Sequence, residues 1–211
     1  ATGLNFLNGH EFTIKDFPKP QYLLYPIVAK QQIRQVFASA GTGKSLYTLH
    51  EAGAVASGYD FMHFKNPDKI KTPTLIVEGE MDSSQIQKRL NMLGDTYEME
   101  GKTLNLDYMF FATLAIQKDM HFESLTTITG REDVEITAKD IEKLTGQKPV
   151  IYLDNITALT LMQEKEGADW IELMHWLSRL RNKGYHVSFL HHPTKTGQTA
   201  SGSNIKERSI D

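Results

Sequence analysis

The sequence predicts an α/β fold in which a mostly parallel central sheet is flanked by helices. From residue 33 onward, short apolar runs alternate with helical patterns, an order that is typical of parallel strands covered by helices. The apolar runs are compact, as expected of strands that are buried on both faces. The predicted strands are residues 33–38, 74–78, 108–112, 150–153 and 187–190.

Helical patterns fill the intervals between these strands. Gly58 follows the first pattern and is suited to cap its carboxyl end. Asp82 or Ser83 can cap the start of the second helix, and Thr137 can cap the start of the third. The predicted helices are residues 44–57, 83–93, 137–145 and 168–183.

The composition indicates one globular domain. With 211 residues, 40% of them hydrophobic and 23% charged, the chain suits neither a disordered nor a membrane protein. No apolar run reaches the roughly 18 residues of a membrane helix, so we expect a cytoplasmic protein without membrane contact. The net charge of −3 argues against a strongly basic nucleic-acid binder but allows a local basic loop. The absence of cysteine excludes thiol catalysis and Cys-based zinc sites.

Patterning divides the chain into a weakly patterned N-terminal extension, residues 1–30, and a core, residues 31–211. Residues 115–136 show no decisive period, so no element is predicted there. The chain opens on Ala1 rather than methionine and stops inside an unfinished element. We therefore expect the core to be truncated at its carboxyl end.

A phosphate-binding loop is predicted at residues 38–45, whose sequence fits the pattern [AG]-x-x-x-x-G-K-[ST]. Gly41 and Gly43 let successive backbone N–H groups wrap an anion, and the positive end of the following helix points at the same phosphates. Lys44 is expected to reach the β- and γ-phosphates, and the Ser45 hydroxyl to bind Mg²⁺. A chance match is expected in about one or two chains per hundred, and the strand and helix on either side make it rarer. The predicted nucleotide contacts are Ala38, Ser39, Ala40, Gly41, Thr42, Gly43, Lys44, Ser45 and Leu46.

Two later strands end in acidic residues. Residues 149–154 form an apolar strand that ends in Asp154, the Walker B form, which would hold Mg²⁺ at the carboxyl edge of the sheet. The alternative is that Asp154 only opens a turn. The other strand is followed by Glu80, a candidate general base that polarises the attacking water. Glu78 and Asp82 compete with Glu80 for this role, although Asp82 can instead cap the following helix.

A histidine pair, His191 and His192, closes the last predicted strand. Adjacent strand residues point to opposite faces, so one of the two is expected to face the nucleotide. A metal pair lacks further ligands, because neither a cysteine nor an HxxH partner is present. A neutral imidazole that responds to the γ-phosphate is favoured, and a histidine packed in the core is the alternative.

In this order the motifs resemble those of RecA-like P-loop ATPases, particularly the plasmid RepA-type and DnaB-type hexameric replicative helicases. In that family a glutamate, often Glu-Met, follows the strand after the phosphate loop and precedes a helix that contains Arg-Leu. Glu80-Met81 and Arg89-Leu90 stand at that spacing. The resemblance implies that Glu80 is the catalytic carboxylate, with Lys44, and that Arg89 packs near the adenine.

The carboxyl-terminal motifs extend this resemblance. The stretch from His191 through Lys195, and the Gly-Ser stretch after it, resemble the family's His-His pair and polar loop. The resemblance implies that His192 senses the γ-phosphate and that residues 194–204 contact single-stranded DNA. It also implies hydrolysis between subunits, completed by an arginine or lysine of the neighbour, for which Lys195 and Arg208 are candidates.

The resemblance therefore implies a RecA-like motor domain that binds and hydrolyses ATP with Mg²⁺ and assembles as a ring, as a hexamer. The expected role is a DNA replication helicase or a related DNA-dependent ATPase. The alternative is a KaiC-like regulatory ATPase of the same fold, in which turnover times assembly without DNA translocation. A third possibility is a nucleotide-binding assembly module without useful turnover.

Overall fold

Five parallel strands form the central sheet of the computed structural model, which describes residues 3–37, 39, 41–160 and 167–191. A short antiparallel hairpin precedes them, formed by β1 (Tyr22–Leu24) and β2 (Val28–Ala29). The sheet strands are β3 (Ile33–Phe37), β4 (Thr74–Glu78), β5 (Met109–Thr113), β6 (Val150–Asp154) and β7 (His186–His191). They lie in the order β3-β7-β6-β4-β5. The predicted fold class is confirmed, and every predicted strand boundary lies within one residue of the observed one.

Helices cover both faces of this sheet. They are α2 (Lys44–Ser57), α3 (Ser83–Met99), α4 (Ile128–Thr145), α5 (Ile156–Thr160) and α6 (Gly167–Asn182), with single 3₁₀ turns at Leu106–Tyr108, Leu114–Ile116 and Lys118–Met120. A further helix, α1 (Gly9–Ile14), precedes the hairpin and buries none of its residues. Gly58 ends α2 in the left-handed conformation, as predicted. Asp82 caps α3, since its side chain accepts a hydrogen bond from the Ser84 N–H at 2.7 Å.

The predicted start of α4 at Thr137 is wrong. The helix begins nine residues earlier, at Ile128, and its cap is Thr127, whose hydroxyl accepts from the Gly130 N–H at 3.1 Å. Ile128 and Ile136 face solvent, with exposed fractions of 67% and 55%. These two isoleucines lie outside the buried stripe of the helix, so apolar residues in its first half do not follow the helical period in the sequence.

The core consists of two apolar layers, one on each face of the sheet. Along β6, Ile151 and Leu153 pack with α4, α5 and α6, while Val150 and Tyr152 pack with α2 and the hairpin. This alternation follows from the period of two in a strand. All residues of β4 and β6 are buried, as expected for central strands of a parallel sheet.

The hairpin β1–β2 closes the sheet at the amino ends of its strands, away from the phosphate loop. It is part of the predicted N-terminal extension, and its residues Leu23, Leu24 and Val28 are fully buried. The buried imidazole of His186, on β7, lies 2.7 Å from the carbonyl oxygen of Ala29. Burial lowers the pKa of His186 to about 3, so the ring is neutral at physiological pH.

We expect Gly130→Ala to lower the free energy of unfolding by about 1–3 kcal/mol. A Cβ atom at this position would overlap the backbone carbonyl oxygens of Glu123 and Ser124, which cannot move independently of the turn before α4. The matched control is Gly94→Ala in α3, where a Cβ would meet no atom within 4 Å. It should leave stability unchanged or raise it by up to about 1 kcal/mol. Urea unfolding measures both, and equal effects would contradict the packing described for α4.

Candidate active site

The predicted phosphate loop connects β3 to α2. Gly41 and Gly43 have φ angles of 77° and 89°, which lie in the left-handed region that glycine adopts without strain. Gly43 is the N-cap of α2 and brings no side-chain acceptor to the first turn, so backbone N–H groups of this turn point out of the helix start. The Lys44 ammonium lies 2.9 Å from the Ser39 carbonyl oxygen. The loop has the form that binds an anion such as a phosphate.

Glu78 and Asp154 lie next to each other at the carboxyl edge of the sheet. The parallel register pairs them directly, because β4 and β6 are neighbours and both end at these residues. Both carboxylates are buried. Burial and the charge of Asp154 raise the pKa of Glu78 to about 7. Burial also raises the pKa of Asp154, against a hydrogen bond from Ser45 that favours its charged form.

The pair Ser45 and Asp154 fits the ligand set of Mg²⁺. Both offer hard oxygen atoms, and the hydrogen bond between them holds them together at the start of α2. Among the described residues no group of three or more histidine and acidic side chains is arranged to hold a metal ion. Mg²⁺ commonly takes only one or two protein ligands and completes its shell with water and substrate phosphates. The site therefore suits Mg²⁺ that arrives with a nucleotide.

The three acidic candidates at the end of β4 and in the turn after it accept hydrogen bonds from different groups. The Glu78 carboxylate accepts hydrogen bonds from the backbone N–H groups of Glu80 and Met81, both at 2.9 Å, and so shapes the turn that carries Glu80. Asp82 is engaged as the cap of α3. All three line the open cleft, and the Glu80 carboxylate accepts a hydrogen bond from the side-chain amide of Asn155. This geometry favours Glu80 as the carboxylate that meets a substrate water.

A cleft of about 1140 Å³ joins these groups. Its inner end is formed by the phosphate loop and the acidic residues, and its outer wall is one face of α3. That wall includes Arg89, which the resemblance assigned to the adenine, and it extends the site beyond the predicted residues. The residues of α3 that line the cleft are Gln85, Lys88, Arg89, Met92 and Thr96.

The family comparison agrees with this arrangement. The family model of the AAA domain matches residues 9–198. The chain belongs to this family. An AAA domain is a P-loop ATPase domain, so the predicted ATP binding and ATPase class are confirmed at that level. A search of curated proteins found no match.

His191 lies in the AAA domain between the strands of the phosphate loop and of Asp154, at the end of β7. It is buried, its ring stacks on Trp170 with centroids 5.7 Å apart, and its Nδ1 lies 3.4 Å from the Thr157 hydroxyl. Its role in nucleotide binding stays a prediction.

Several residues with predicted roles fall outside the part of the chain that the structure describes. They are Ala38, Ala40, His192, Lys195, Arg208 and the loop at 194–204. Leu46 is described, and it lines the cleft with an exposed fraction of 42%. No helix among the described residues has the length and apolar character needed to cross a membrane.

Sequence reasoning missed a buried ion pair that braces the phosphate loop. Arg34 on β3 contacts Glu51 on α2 at 2.6 Å, with exposed side-chain fractions of 14% and 0%. The two residues stand on the elements that enter and leave the loop, so the pair fixes the spacing between them. A partial signal was present, because Arg34 lies within a predicted buried strand and Glu51 directly precedes the small and apolar run at residues 52–57.

We expect Glu78→Gln to raise the free energy of unfolding of the nucleotide-free protein by about 2 kcal/mol at pH 8 and to change it little at pH 5. Glu78 has a folded-state pKa of about 7, against an ordinary value of 4.5, so the folded protein keeps a proton that the unfolded chain loses over this range. The contribution of Glu78 to wild-type stability therefore falls as pH rises from about 4.5 to 7. Glutamine carries no charge and keeps the oxygen that accepts from Glu80 and Met81.

Urea unfolding at the two pH values measures this effect. The matched control is Glu98→Gln, the same chemical change on the solvent face of α3, which should alter stability by less than about 0.5 kcal/mol at either pH. An equal gain for Glu78→Gln at both pH values would contradict the raised pKa.

Proposed function

We propose that this AAA domain is a RecA-like motor domain that hydrolyses ATP with Mg²⁺ and acts on single-stranded DNA, as in a replicative helicase. The observation that carries the hydrolysis proposal is the position of Glu80, which lines the same cleft as Lys44, Ser45 and Asp154. The DNA proposal is supported by the order of the motifs and by the polar loop at 194–204.

Each residue has a definite task in the proposed reaction. The loop N–H groups and Lys44 hold the phosphates and stabilise the negative charge that develops on the γ-phosphoryl oxygens. Ser45 and Asp154 would hold Mg²⁺, which would neutralise phosphate charge when bound. Glu80 orients the attacking water and accepts its proton as the bond to the γ-phosphorus forms and the bond from that phosphorus to the β–γ bridging oxygen breaks, so that ADP leaves.

Assembly as a ring, with six subunits, belongs to the same proposal. An open cleft at the edge of the sheet is consistent with a neighbouring subunit that completes the site, and the candidates for this contribution are Lys195 and Arg208. A KaiC-like regulatory ATPase shares the nucleotide chemistry and differs in what turnover drives. DNA dependence of the hydrolysis rate separates these two functions.

We expect Glu80→Gln to lower the ATP turnover number by about 10²–10⁴-fold and to leave ATP affinity nearly unchanged. The substitution removes the proton acceptor while the phosphate contacts remain. Phosphate release and binding of a fluorescent ATP analogue measure the two quantities. Glu98→Gln serves as the matched control and should retain wild-type turnover. A Glu80→Gln protein with wild-type turnover would show that another group activates the water.

Single-stranded DNA should stimulate ATP turnover of the wild-type chain, and the stimulation should weaken as salt rises, because phosphate contacts release counterions. The measurement is phosphate release with and without an oligonucleotide over a salt series. Lys44→Ala is the negative control, since it removes a contact to the nucleotide phosphates. A rate independent of DNA at every salt concentration would favour the regulatory ATPase instead.

A further inference from the structure

Asn155 contacts the candidate general base directly. Its side-chain amide N–H donates to Oε2 of Glu80. Its Oδ1 accepts from the Ala158 N–H at 2.9 Å, which fixes the side chain at the start of α5. Asn155 is buried, so water competes little for either hydrogen bond. The Asn155 side chain therefore connects the Glu80 carboxylate to the first turn of α5.

The segment that carries Glu80 is packed tightly against α5. A Cβ atom on Gly79 would lie 2.9 Å from Cδ2 of Leu159 and 3.3 Å from the Cβ of Ala158. The Gly79 N–H also donates to the Asp154 carbonyl oxygen at 2.9 Å. The turn after β4 and the junction of β6 with α5 thus form one packed unit in which Asn155 and Glu80 have fixed relative positions.

The Asn155 amide is a neutral donor, so it holds the Glu80 carboxylate without adding a charge to a cleft that already contains the carboxylates of Glu78 and Asp154. It fixes the direction of one carboxylate oxygen by a hydrogen bond rather than by a salt bridge. The hydrogen bond occupies Oε2 and leaves Oε1 to meet a water.

We propose that Asn155 is a positioning residue that orients Glu80 for activation of the attacking water. The inference rests on the proposed function, because it assigns Asn155 a task only if Glu80 is the base. Asn155 acts through Glu80 and contacts neither phosphate nor metal in this assignment. Its loss should therefore lower the turnover number without weakening ATP binding.

The substitution Asn155→Ser isolates this task. Serine is a good N-cap and can accept from the Ala158 N–H, but its hydroxyl is too short to reach Glu80. We expect the ATP turnover number to fall about 10- to 100-fold, the factor that corresponds to losing a hydrogen bond to a charged group, with KM and analogue affinity unchanged. Asn155→Ala should lose the same turnover and, in addition, melt a few degrees lower because it also loses the cap.

Two further proteins separate positioning from general destabilisation. Thr127→Ala removes an N-cap at α4, outside the cleft, and should lower the melting temperature by a few degrees with wild-type turnover. In the Glu80→Gln background, Asn155→Ser should have no further effect, because the group through which it acts is already disabled.

Wild-type turnover for Asn155→Ser, together with a strong loss for Glu80→Gln, would overturn this inference and leave the proposed function intact. Effects of the two substitutions that multiply in the double variant would also overturn it. Wild-type turnover for Glu80→Gln would show that another group activates the water, and the role of Asn155 would fall with that of Glu80. Absence of ATP turnover in the wild-type chain would overturn the proposed function itself.

Discussion

The neighbouring carboxylates of Glu78 and Asp154 are the constraint around which the site is organised. Parallel pairing of β4 with β6 puts both at the same level of the sheet, where burial disfavours their charged forms and the charge of Asp154 disfavours the charged form of Glu78. The protein offsets part of this cost with a hydroxyl from Ser45 and two backbone N–H groups on Glu78. The remaining cost would be lowered by a cation at this position, which is consistent with the proposed binding of Mg²⁺ together with a nucleotide.

The strand order sets the distance between the phosphate loop and the acidic residues. β7 lies between β3, which leads into the phosphate loop, and β6, which ends in Asp154. Two strand spacings separate the loop strand from the acidic strand, about 10 Å, which leaves room for phosphates between the loop and the carboxylates. The Arg34–Glu51 ion pair joins β3 to α2, the two elements on either side of the loop. The cleft is therefore lined by the phosphate loop, by the carboxyl ends of β4 and β6, and by α3.

The sequence was most informative where burial is complete. β4 and β6 were predicted to within a residue because both faces are covered and the apolar run is unbroken. The first half of α4 was missed because two of its isoleucines face solvent. A helix is recognised from the sequence when its apolar residues lie on one buried face, and these two do not. The phosphate loop was recognised from a local pattern, since its function depends on consecutive backbone groups.

The choice among the acids after β4 could not be made from sequence, because it depends on which hydrogen-bond partners each carboxylate meets. The Glu78 carboxylate accepts a hydrogen bond from the backbone N–H of Glu80, two residues later in the sequence. The Glu80 carboxylate accepts one from the side chain of Asn155, 75 residues away. A local pattern contains no information about such a pair. The same holds for Arg34 and Glu51, whose charges were visible but whose contact was not.

The pairing of β3 with β7 also has a consequence for biosynthesis. Among the described residues, the strand that leads into the phosphate loop is hydrogen-bonded to β7, and Ala29 meets His186 across 157 residues. On the ribosome, β3 emerges well before β7, the strand with which it pairs. Contacts of such long sequence separation fold slowly, so the nascent chain carries β3 without its sheet partner until β7 has been translated. The sheet edge that carries the phosphate loop is therefore completed only after β7 has been translated.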